Sequence, residues 1–288
     1  VQYNNNFLRM SCATTYNYSS KIAQHYYRSA LCYNTTKRSI SVAGKRIQDR
    51  VLNLNLNAAA LCDADKAFNL KEHKRELKLG VLSSQILKPF SDIDRKMAGV
   101  AHTVQLTAAN DMLGVLRGLH EANEGDVLFV HALDSTTKAV AGGLFAAEAA
   151  RRKLAGVVIY GPCRDVAEIR AAGIPFYARY STPWSGDVVS PGEIGVTLTI
   201  EDVKVDHGDF VYGDGDGIVV GKAEHFEELL SVAETICMVE ANLADGMRDG
   251  KALHSMTNFE EHLVECMNGN DNANSVLTFD DSLFITKS

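Results

Sequence analysis

The first 48 residues contain no aspartate or glutamate, although the chain of 288 residues carries 36 acidic and 29 basic side chains. This segment does carry seven cations: Arg9, Lys21, Arg28, Lys37, Arg38, Lys45 and Arg46. A basic, acid-free segment is typical of an organellar transit peptide, and a disordered arm explains it as well. We therefore predict a leader over residues 1–55. The location would be mitochondrial or plastid if the leader is a transit peptide, and cytoplasmic otherwise.

The chain also lacks long apolar runs, a basic net charge and paired cysteines. No run approaches the roughly 18 to 20 apolar residues of a membrane span, so we expect no membrane partner. The net charge of −7 argues against direct binding of nucleic acid, which requires a basic face. The six cysteines form no CxxC pair and no cluster with zinc spacing, which indicates reduced thiols rather than a disulfide framework.

Apolar runs and helical periodicity alternate through the middle of the chain. They predict strands at 97–106, 125–133, 155–160 and 175–180, and helices at 110–123, 141–153 and 164–172. Strands separated by helices of this length predict parallel βαβ units. A strand-rich stretch with a hairpin turn at Asp216-Gly217 follows, and then one long helix.

The predicted fold is a single compact layered α/β domain over residues 56–266. Parallel βαβ units form its first half and β-hairpins dominate its second half, while residues 267–288 form a polar tail.

Three features that suggest chemistry have simpler explanations. GDGDG at residues 213–217 has neither the acidic spacing of an EF-hand loop nor the glycine spacing of a dinucleotide site, so we interpret it as a turn. Cys163 adjoins Arg164, which favours a thiolate, but no base lies nearby in the sequence. His131 ends a predicted strand, and we interpret it as a hydrogen-bonded structural histidine.

GPCRD, residues 161–165, places an arginine and an aspartate where a strand ends. Helix capping explains Asp165, with Glu168 as its capping-box partner. Capping does not explain Arg164, because open α/β sheets place ligands at the carboxyl ends of parallel strands. The alternative is a ligand site, in which Arg164 grips a carboxylate and Asp165 faces a hard cation such as Mg²⁺.

One βα unit earlier, Gly142 and Gly143 begin a predicted helix. Glycines let the backbone come close to a ligand, and the free amides of residues 143–145 would form an anion site at the helix N-terminus. The residues alone therefore predict a site for a small, oxygen-rich anion and a divalent metal. They do not name a reaction.

The segment GGLFAAEAARRKLAGVVIYGPCRDVAEIRAAGIPFYARYSTP, residues 142–183, resembles the family of regulator of ribonuclease activity A and the 4-hydroxy-4-methyl-2-oxoglutarate aldolases. DHGDFVYGDGDGIVV, residues 206–220, resembles a second signature of that family, and the likeness spans about residues 60–250. The resemblance implies an α/β fold, homotrimers that sometimes pair into hexamers, and sites near subunit contacts.

The resemblance also implies roles for particular residues. A small 2-oxo acid would be held by four backbone positions: Gly142, Gly143, Leu144 and Phe145. Arg164 would bind the substrate carboxylate and the oxygen that becomes an enolate, and Asp165 would hold Mg²⁺ or Mn²⁺. The implied enzyme is a pyruvate-type carbon–carbon lyase. It would cleave 4-hydroxy-4-methyl-2-oxoglutarate, decarboxylate oxaloacetate, or do both.

The chain departs from the aldolase pattern at one position. Aldolases of the family usually carry an acidic residue 21 positions before the arginine, and this chain has Gly143 there. Decarboxylation of oxaloacetate is therefore the more secure activity, because it needs no deprotonation of a substrate hydroxyl. The alternative is a non-catalytic, ring-shaped regulator that binds a ribonuclease or RNA helicase. A methyltransferase fits least, since no glycine-rich cofactor loop follows a strand.

Overall fold

The computed structural model describes residues 42–54, 56–71, 78–92, 94–268 and 277–284. Its α-helices are α1 (Val42–Asn53), α2 (Ala58–Lys71), α3 (Leu113–Glu121), α4 (Gly143–Arg151), α5 (Val166–Ala172), α6 (Ala223–Arg248) and α7 (Phe259–Met267). Short 3-10 helices cover Leu253–Met256 and Asp281–Phe284. None of the helices in these ranges has the length and apolar character needed to cross a membrane.

The main sheet is mixed, and its centre is parallel. Its strands are β1 (Gly80–Ser83), β2 (Lys88–Pro89), β3 (Met97–Gln105), β4 (Asp126–His131), β5 (Gly156–Cys163), β6 (Phe176–Ser181), β7 (Glu193–Ile194), β10 (Phe210–Asp214) and β11 (Gly217–Gly221). A separate hairpin consists of β8 (Leu198–Ile200) and β9 (Val203–Val205). The order in the main sheet is β1-β11-β10-β3-β4-β5-β6-β2, with β7 paired to β3. Parallel pairing of β3 through β6 confirms the predicted βαβ units.

The alternation of side chains along the strands builds a core on each face of the sheet. On β4, Leu128 and Val130 pack under α3, α4 and α5, whereas Val127 and Phe129 face the β8–β9 hairpin. Helices α1, α2 and α6 cover the antiparallel end of the sheet on the same face as α3 to α5. This burial on both faces explains why the parallel strands read as continuous apolar runs.

The GDGDG segment is a hairpin turn, as the sequence indicates. Asp214 pairs with Gly217, so the two turn residues are Gly215 and Asp216, one position earlier than predicted. The buried Asp214 carboxylate accepts hydrogen bonds from the backbone amides of Ala58, at 2.7 Å, and Asp216, at 3.0 Å. The carboxylate therefore joins the turn to the start of α2.

The predicted leader boundary at residue 55 is wrong, because α1 packs on the domain. Ile47 and Val51 are fully buried, and the Gln48 side-chain amide donates to the Ala98 carbonyl at 2.7 Å. Of the seven cations that suggested a leader, Lys45 and Arg46 lie on α1, and Arg46 pairs with Glu227 of α6. Arg50 on the same helix pairs with Glu234 of α6 at 2.6 Å. Residues 1–41 of the predicted leader lie outside the described residues.

The predicted polar tail also needs correction. Leu283 is buried in a small cluster with Val239, Leu243 and Met256. The Asn242 side-chain amide donates to the Leu283 carbonyl at 2.7 Å. Part of residues 277–284 therefore packs against α6, because one leucine in a polar segment is enough to close this small cluster.

We expect Ile47→Ala to lower the free energy of unfolding by about 2 to 5 kcal/mol, because it leaves a cavity under α1. Chemical denaturation of the purified chain measures the change. Leu52→Ala is the matched control on the same helix: Leu52 is 42% exposed, and its loss should cost less than about 0.5 kcal/mol. Equal stability of the two variants would mean that α1 is dispensable.

Candidate functional site

Arg164 and Asp165 lie immediately after β5, at the carboxyl edge of the parallel sheet. Strand β5 runs three residues further than predicted, because an irregularity between Ile159 and Pro162 lets it stay paired with β6 to its end. Both side chains are partly exposed, at 36% and 38% of their surface. Arg164 and Asp165 therefore lie at the edge of the sheet where α/β proteins bind ligands.

Asp165 occupies the N-cap position of α5, but its side chain does not cap the helix, so the capping interpretation is wrong. Its backbone is left-handed, with φ 57° and ψ 51°, and its side chain makes no capping hydrogen bond. This conformation is uncommon for residues other than glycine. It turns the carboxylate toward α4, where Oδ2 lies 3.4 Å from the Gly143 amide and 3.3 Å from Arg164 Nε.

The start of α4 faces this carboxylate. Gly142 precedes the helix in an extended conformation without any side-chain cap, so the first-turn amides have no partner within the helix. Ala141 forms a parallel bridge with Cys163, and its carbonyl accepts the Arg164 amide at 3.1 Å. These backbone contacts hold the helix start against the end of β5.

The predicted site residues line one small cleft. Its walls are Met112, Ala139, Ala141, Gly142, Leu144, Phe145, Arg164 and Asp165. Gly143 lies behind them, with its amide directed at Asp165. The enclosed space is about 30 Å³, room for one or two water molecules. The cleft of a single chain is therefore shallow, and Leu144 stands at its mouth with 80% of its surface exposed.

Close contact between α4 and α5 explains why position 143 is glycine. A Cβ atom on Gly143 would lie 2.5 Å from the Glu168 Cβ and 3.4 Å from its Cγ. A Cβ on Gly142 would lie 2.8 Å from Asp165 Oδ2. An acidic residue at position 143 would therefore collide with the side chain of Glu168.

Glu168 is the part of the site that sequence reasoning misjudged. The interpretation as a capping-box partner fails, because the Asp165 side chain forms no capping hydrogen bond. Its stem crosses the first turn of α4, and its exposed carboxylate forms no hydrogen bond or ion pair with the described residues. The sequence carries one signal for this placement. Glu168 follows Asp165 by three positions, and residues three apart along a helix share a face.

Cys163 and His131 lie near the site without features of reactive groups. Burial, with a smaller effect of the Asp165 charge, raises the pKa of the Cys163 thiol to about 12, so the thiol stays protonated. His131 Nδ1 lies 2.8 Å from the Gln105 side-chain amide, and its ring stacks on Tyr160. Burial lowers the pKa of His131. Both residues are structural, as expected.

An exposed apolar loop borders the cleft, and the sequence analysis did not identify it. Trp184, Val188 and Val189 are 61%, 59% and 76% exposed. The buried Asp111 carboxylate fixes the loop by accepting the backbone amides of Val189, at 2.7 Å, and of the residue that follows it, at 3.0 Å. The Trp184 carbonyl accepts the amide of Ala139, a wall of the cleft, at 2.7 Å. Rigid, exposed apolar patches of this kind mark interaction surfaces.

The residues at the cleft fit a hydrated Mg²⁺ ion. Mg²⁺ commonly takes one or two protein carboxylates and keeps several waters. Asp165 provides one carboxylate in the cleft wall, with Oδ2 3.3 Å from Arg164 Nε. Within the described ranges, no three histidine, cysteine, aspartate or glutamate side chains converge as a dedicated metal cage. The donor set therefore suits a hard, hydrated cation rather than zinc.

The family described as RraA-like, aldolase/RraA, matches residues 58–220, more than half of the chain. The chain belongs to this family. A relative from Halalkalibacterium halodurans, provisionally named 4-hydroxy-4-methyl-2-oxoglutarate aldolase, is 32% identical over 51% of this chain and 70% of that protein. An uncharacterized protein of Methanocaldococcus jannaschii is 30% identical over 75% of this chain and 98% of its own length.

A solved structure supports the fold of this RraA-like chain. An uncharacterized protein from Pseudomonas syringae pv. tomato superposes with a TM-score of 0.61 at 20% identity, over 73% of this chain and 96% of that one. At this identity the likeness concerns the α/β architecture alone. The resemblance inferred from the two signature segments is thus confirmed at the level of the family.

We expect Gly143→Ala to destabilise the fold by about 1 to 3 kcal/mol, because the new methyl group would overpack against Glu168. Thermal or chemical unfolding measures the loss. Combining it with Glu168→Gly tests the contact: the double variant should be more stable than the sum of the two single losses predicts. Strictly additive losses would show that the two positions do not touch.

Proposed function

We propose that this chain is a divalent-metal-dependent pyruvate-type lyase that breaks a carbon–carbon bond in a small 2-oxo acid. The reaction is the aldol cleavage of a 4-hydroxy-2-oxo acid, the decarboxylation of oxaloacetate, or both. The observation that carries the proposal is the convergence of Arg164, the Asp165 carboxylate and the first-turn amides of α4 in one cleft. The names of several relatives in the family support the same class of reaction.

Binding of the substrate follows from the charges. The first-turn amides of α4 point at the cleft, and a helix N-terminus favours an anion. The Arg164 guanidinium can hold a carboxylate through two parallel hydrogen bonds. Its Nε lies 3.3 Å from Asp165 Oδ2, which keeps the guanidinium at the cleft rather than in solvent. The 2-oxo carboxylate would therefore lie between α4 and Arg164.

Bond cleavage needs an electron sink. In both reactions the electron pair of the broken bond moves into the 2-oxo group and produces a pyruvate enolate. Arg164 would stabilise the developing negative charge on its oxygen. A Mg²⁺ or Mn²⁺ ion held by Asp165 would supply Lewis-acid polarisation of the same oxygen. The apolar side chains of Met112 and Phe145 strengthen these interactions by limiting access of water.

The proposal includes a homotrimer, with pairing into a hexamer as a further step. One chain encloses too little space for a 2-oxo acid with a substituent, and an apolar patch of Leu144, Trp184, Val188 and Val189 flanks the opening. A second copy that covers this patch would deepen the cleft and bury the exposed side chains. The proposed site is then complete only in the assembly.

We expect Asp165→Asn to abolish metal-stimulated release of pyruvate, because the amide is a poor ligand for Mg²⁺. The assay uses oxaloacetate and 4-hydroxy-4-methyl-2-oxoglutarate, each with and without Mg²⁺. Asp202→Asn is the matched control, since Asp202 is an exposed carboxylate in the turn between β8 and β9. Full activity of Asp165→Asn would remove the metal from the proposal.

The same assay tests the alternative function. A wild-type chain that turns over neither substrate, yet binds a ribonuclease or an RNA helicase, would be a non-catalytic regulator.

We expect Arg164→Lys to lower kcat/KM for oxaloacetate by about 100-fold, because lysine cannot form the bidentate contact with a carboxylate. Steady-state kinetics measure the change, and size-exclusion chromatography checks that the oligomer persists. Arg170→Lys, an exposed arginine on α5, is the control and should retain wild-type kinetics. Equal kcat/KM for the two variants would place the substrate anchor elsewhere.

A further inference from the structure

We propose that helix α7 and residues 277–280, together called the C-terminal surface, form a docking site for a basic, amphipathic segment of another protein. This surface lies outside residues 58–220, the part of the chain that matches the RraA-like family. The proposal does not depend on the lyase function. Its basis is the exposed apolar face of α7, the backbone contacts that fix the surface on the domain, and the one-sided charge around it.

Helix α7 is amphipathic, yet none of its nine residues, all of them described, is buried. Phe259, Leu263 and Met267 recur every four residues and therefore share one face of the helix. With Val264 beside them, they are between 40% and 78% exposed. Because a helix of this kind normally covers its apolar face with another element, α7 presents a face that fits a partner.

Residues 277–280 extend this face and are fixed beside it. Thr257 and Phe279 form an antiparallel bridge. Asn258, the residue before α7, donates its backbone amide to the Thr278 carbonyl at 3.1 Å, and its side-chain oxygen accepts the Thr278 amide at 2.7 Å. The exposed Phe279 is therefore held next to α7 in the single chain. A partner would not have to order this segment, which favours association.

The apolar area of the C-terminal surface is large enough for a protein interface. The four apolar residues of α7, with Leu277 and Phe279, expose on the order of 600 Å², taking about 200 Å² for each free side chain. A specific interface typically buries about 800 Å² on each partner, and somewhat more than half of that area is apolar. The surface therefore provides the apolar share of an interface of ordinary size.

The charge of the surface determines which partner fits. Residues 252–268 and 277–284 carry five acidic side chains and no lysine or arginine, and the nearest basic residue along the chain is Lys251. Glu260, Glu261 and Asp280 line a groove of about 730 Å³, and Phe279 forms part of the same lining. Lysine or arginine side chains of a partner would pair with these carboxylates while its apolar side chains cover α7.

The same charges disfavour two other occupants. A second copy that docked through its own C-terminal surface would bring carboxylates against carboxylates, which opposes binding. A membrane surface fits poorly, because helices that lie on membranes carry lysine and arginine on their polar face and are attracted to anionic lipids. A basic protein segment is the occupant that satisfies both the apolar face and the charge.

Three synthetic peptides test the proposal against the full chain. The first is an amphipathic helix of leucine and lysine, about 18 residues or five helical turns long. In the second, glutamate replaces every lysine, and in the third the same leucines and lysines are reordered so that no apolar face exists. Fluorescence anisotropy should show that the first peptide binds at least about 10-fold more tightly than either of the others. Equal binding of the first and third peptides would mean that net charge alone is recognised and would overturn the proposal.

Two double variants locate the binding on the C-terminal surface. Leu263→Ser/Met267→Ser should raise Kd for the first peptide by about 10-fold or more, because two apolar contacts are lost. Its matched control is Leu52→Ser/Leu54→Ser, since these leucines of the N-terminal region are 42% and 40% exposed. The control should keep the wild-type Kd, and equal Kd values for the two variants would place the binding elsewhere.

Glu260→Gln/Glu261→Gln should raise Kd by about 3- to 10-fold at low ionic strength and by less in high salt. Asp63→Asn/Asp202→Asn removes two exposed carboxylates outside the surface and is the control for net charge. The same loss of affinity in both variants would show that the peptide responds to the charge of the whole protein, which contradicts a role for the groove.

Two further measurements test the other occupants. Size-exclusion chromatography should give the same oligomer for the wild type and for Leu263→Ser/Met267→Ser, and a smaller assembly in the variant would mean that a second copy covers α7. Sedimentation with phosphatidylcholine vesicles, with and without phosphatidylserine, should show no binding of the wild-type chain. Vesicle binding that the same variant abolishes would assign the face to a lipid surface and overturn the proposal.

Discussion

The first turns of α4 and α5 touch at Gly143 and Glu168, and the geometry of the candidate site depends on this contact. Helix α4 follows β4 along the chain and α5 follows β5. These two strands are neighbours in the sheet and both helices pack on one face of it, so the helices start side by side. With no Cβ at position 143, the start of α4 comes within 3.4 Å of the Asp165 carboxylate. A larger residue would separate the helices and move the first-turn amides of α4 away from Arg164. Glycine is therefore required at position 143 for the packing of α4 against α5. The exposed backbone beside the cleft is a consequence of that requirement.

The contact between Gly143 and Glu168 also explains why position 143 carries no acidic residue. Seen in the sequence, glycine at position 143 removes a carboxylate that aldolases of this kind usually carry. In the structure, the stem of Glu168 fills the space that such a side chain would need. The Cβ and Cγ of Glu168 on α5 therefore occupy the position where an acidic residue on α4 would begin. An acid at position 143 and the present position of Glu168 exclude each other.

Much of the fold could be predicted because burial leaves a clear pattern. Strands β3 to β6 are covered on both faces, so they read as apolar runs, and the helices between them show one apolar face. Helix α1 could not be predicted because cations flank its buried residues, Ile47 and Val51. The acidic partners of these cations lie on α6, far along the chain. Arg50 and Glu234, for example, are 184 positions apart. The left-handed backbone of Asp165 could not be predicted for a different reason. The local sequence favours a helix cap at this position, whereas the carboxylate is directed at α4, whose position depends on the tertiary fold.

The rigidity of the loop beside the cleft bears on how the site would be completed. A loop that exposes a tryptophan and two valines would ordinarily lose conformational freedom when a partner covers it, and that loss would weaken association. Here the buried Asp111 already holds the loop through backbone amides, and Lys138 rests on the Trp184 ring. The loop therefore has little conformational entropy left to lose on association. Burial of its apolar side chains by a second copy would then contribute more to the affinity. Because the Trp184 carbonyl is bonded to Ala139 in the cleft wall, a displacement of the loop would also displace the wall. In the proposed oligomer, assembly and substrate binding would therefore be coupled through one short segment, and a change that loosens the loop should weaken both.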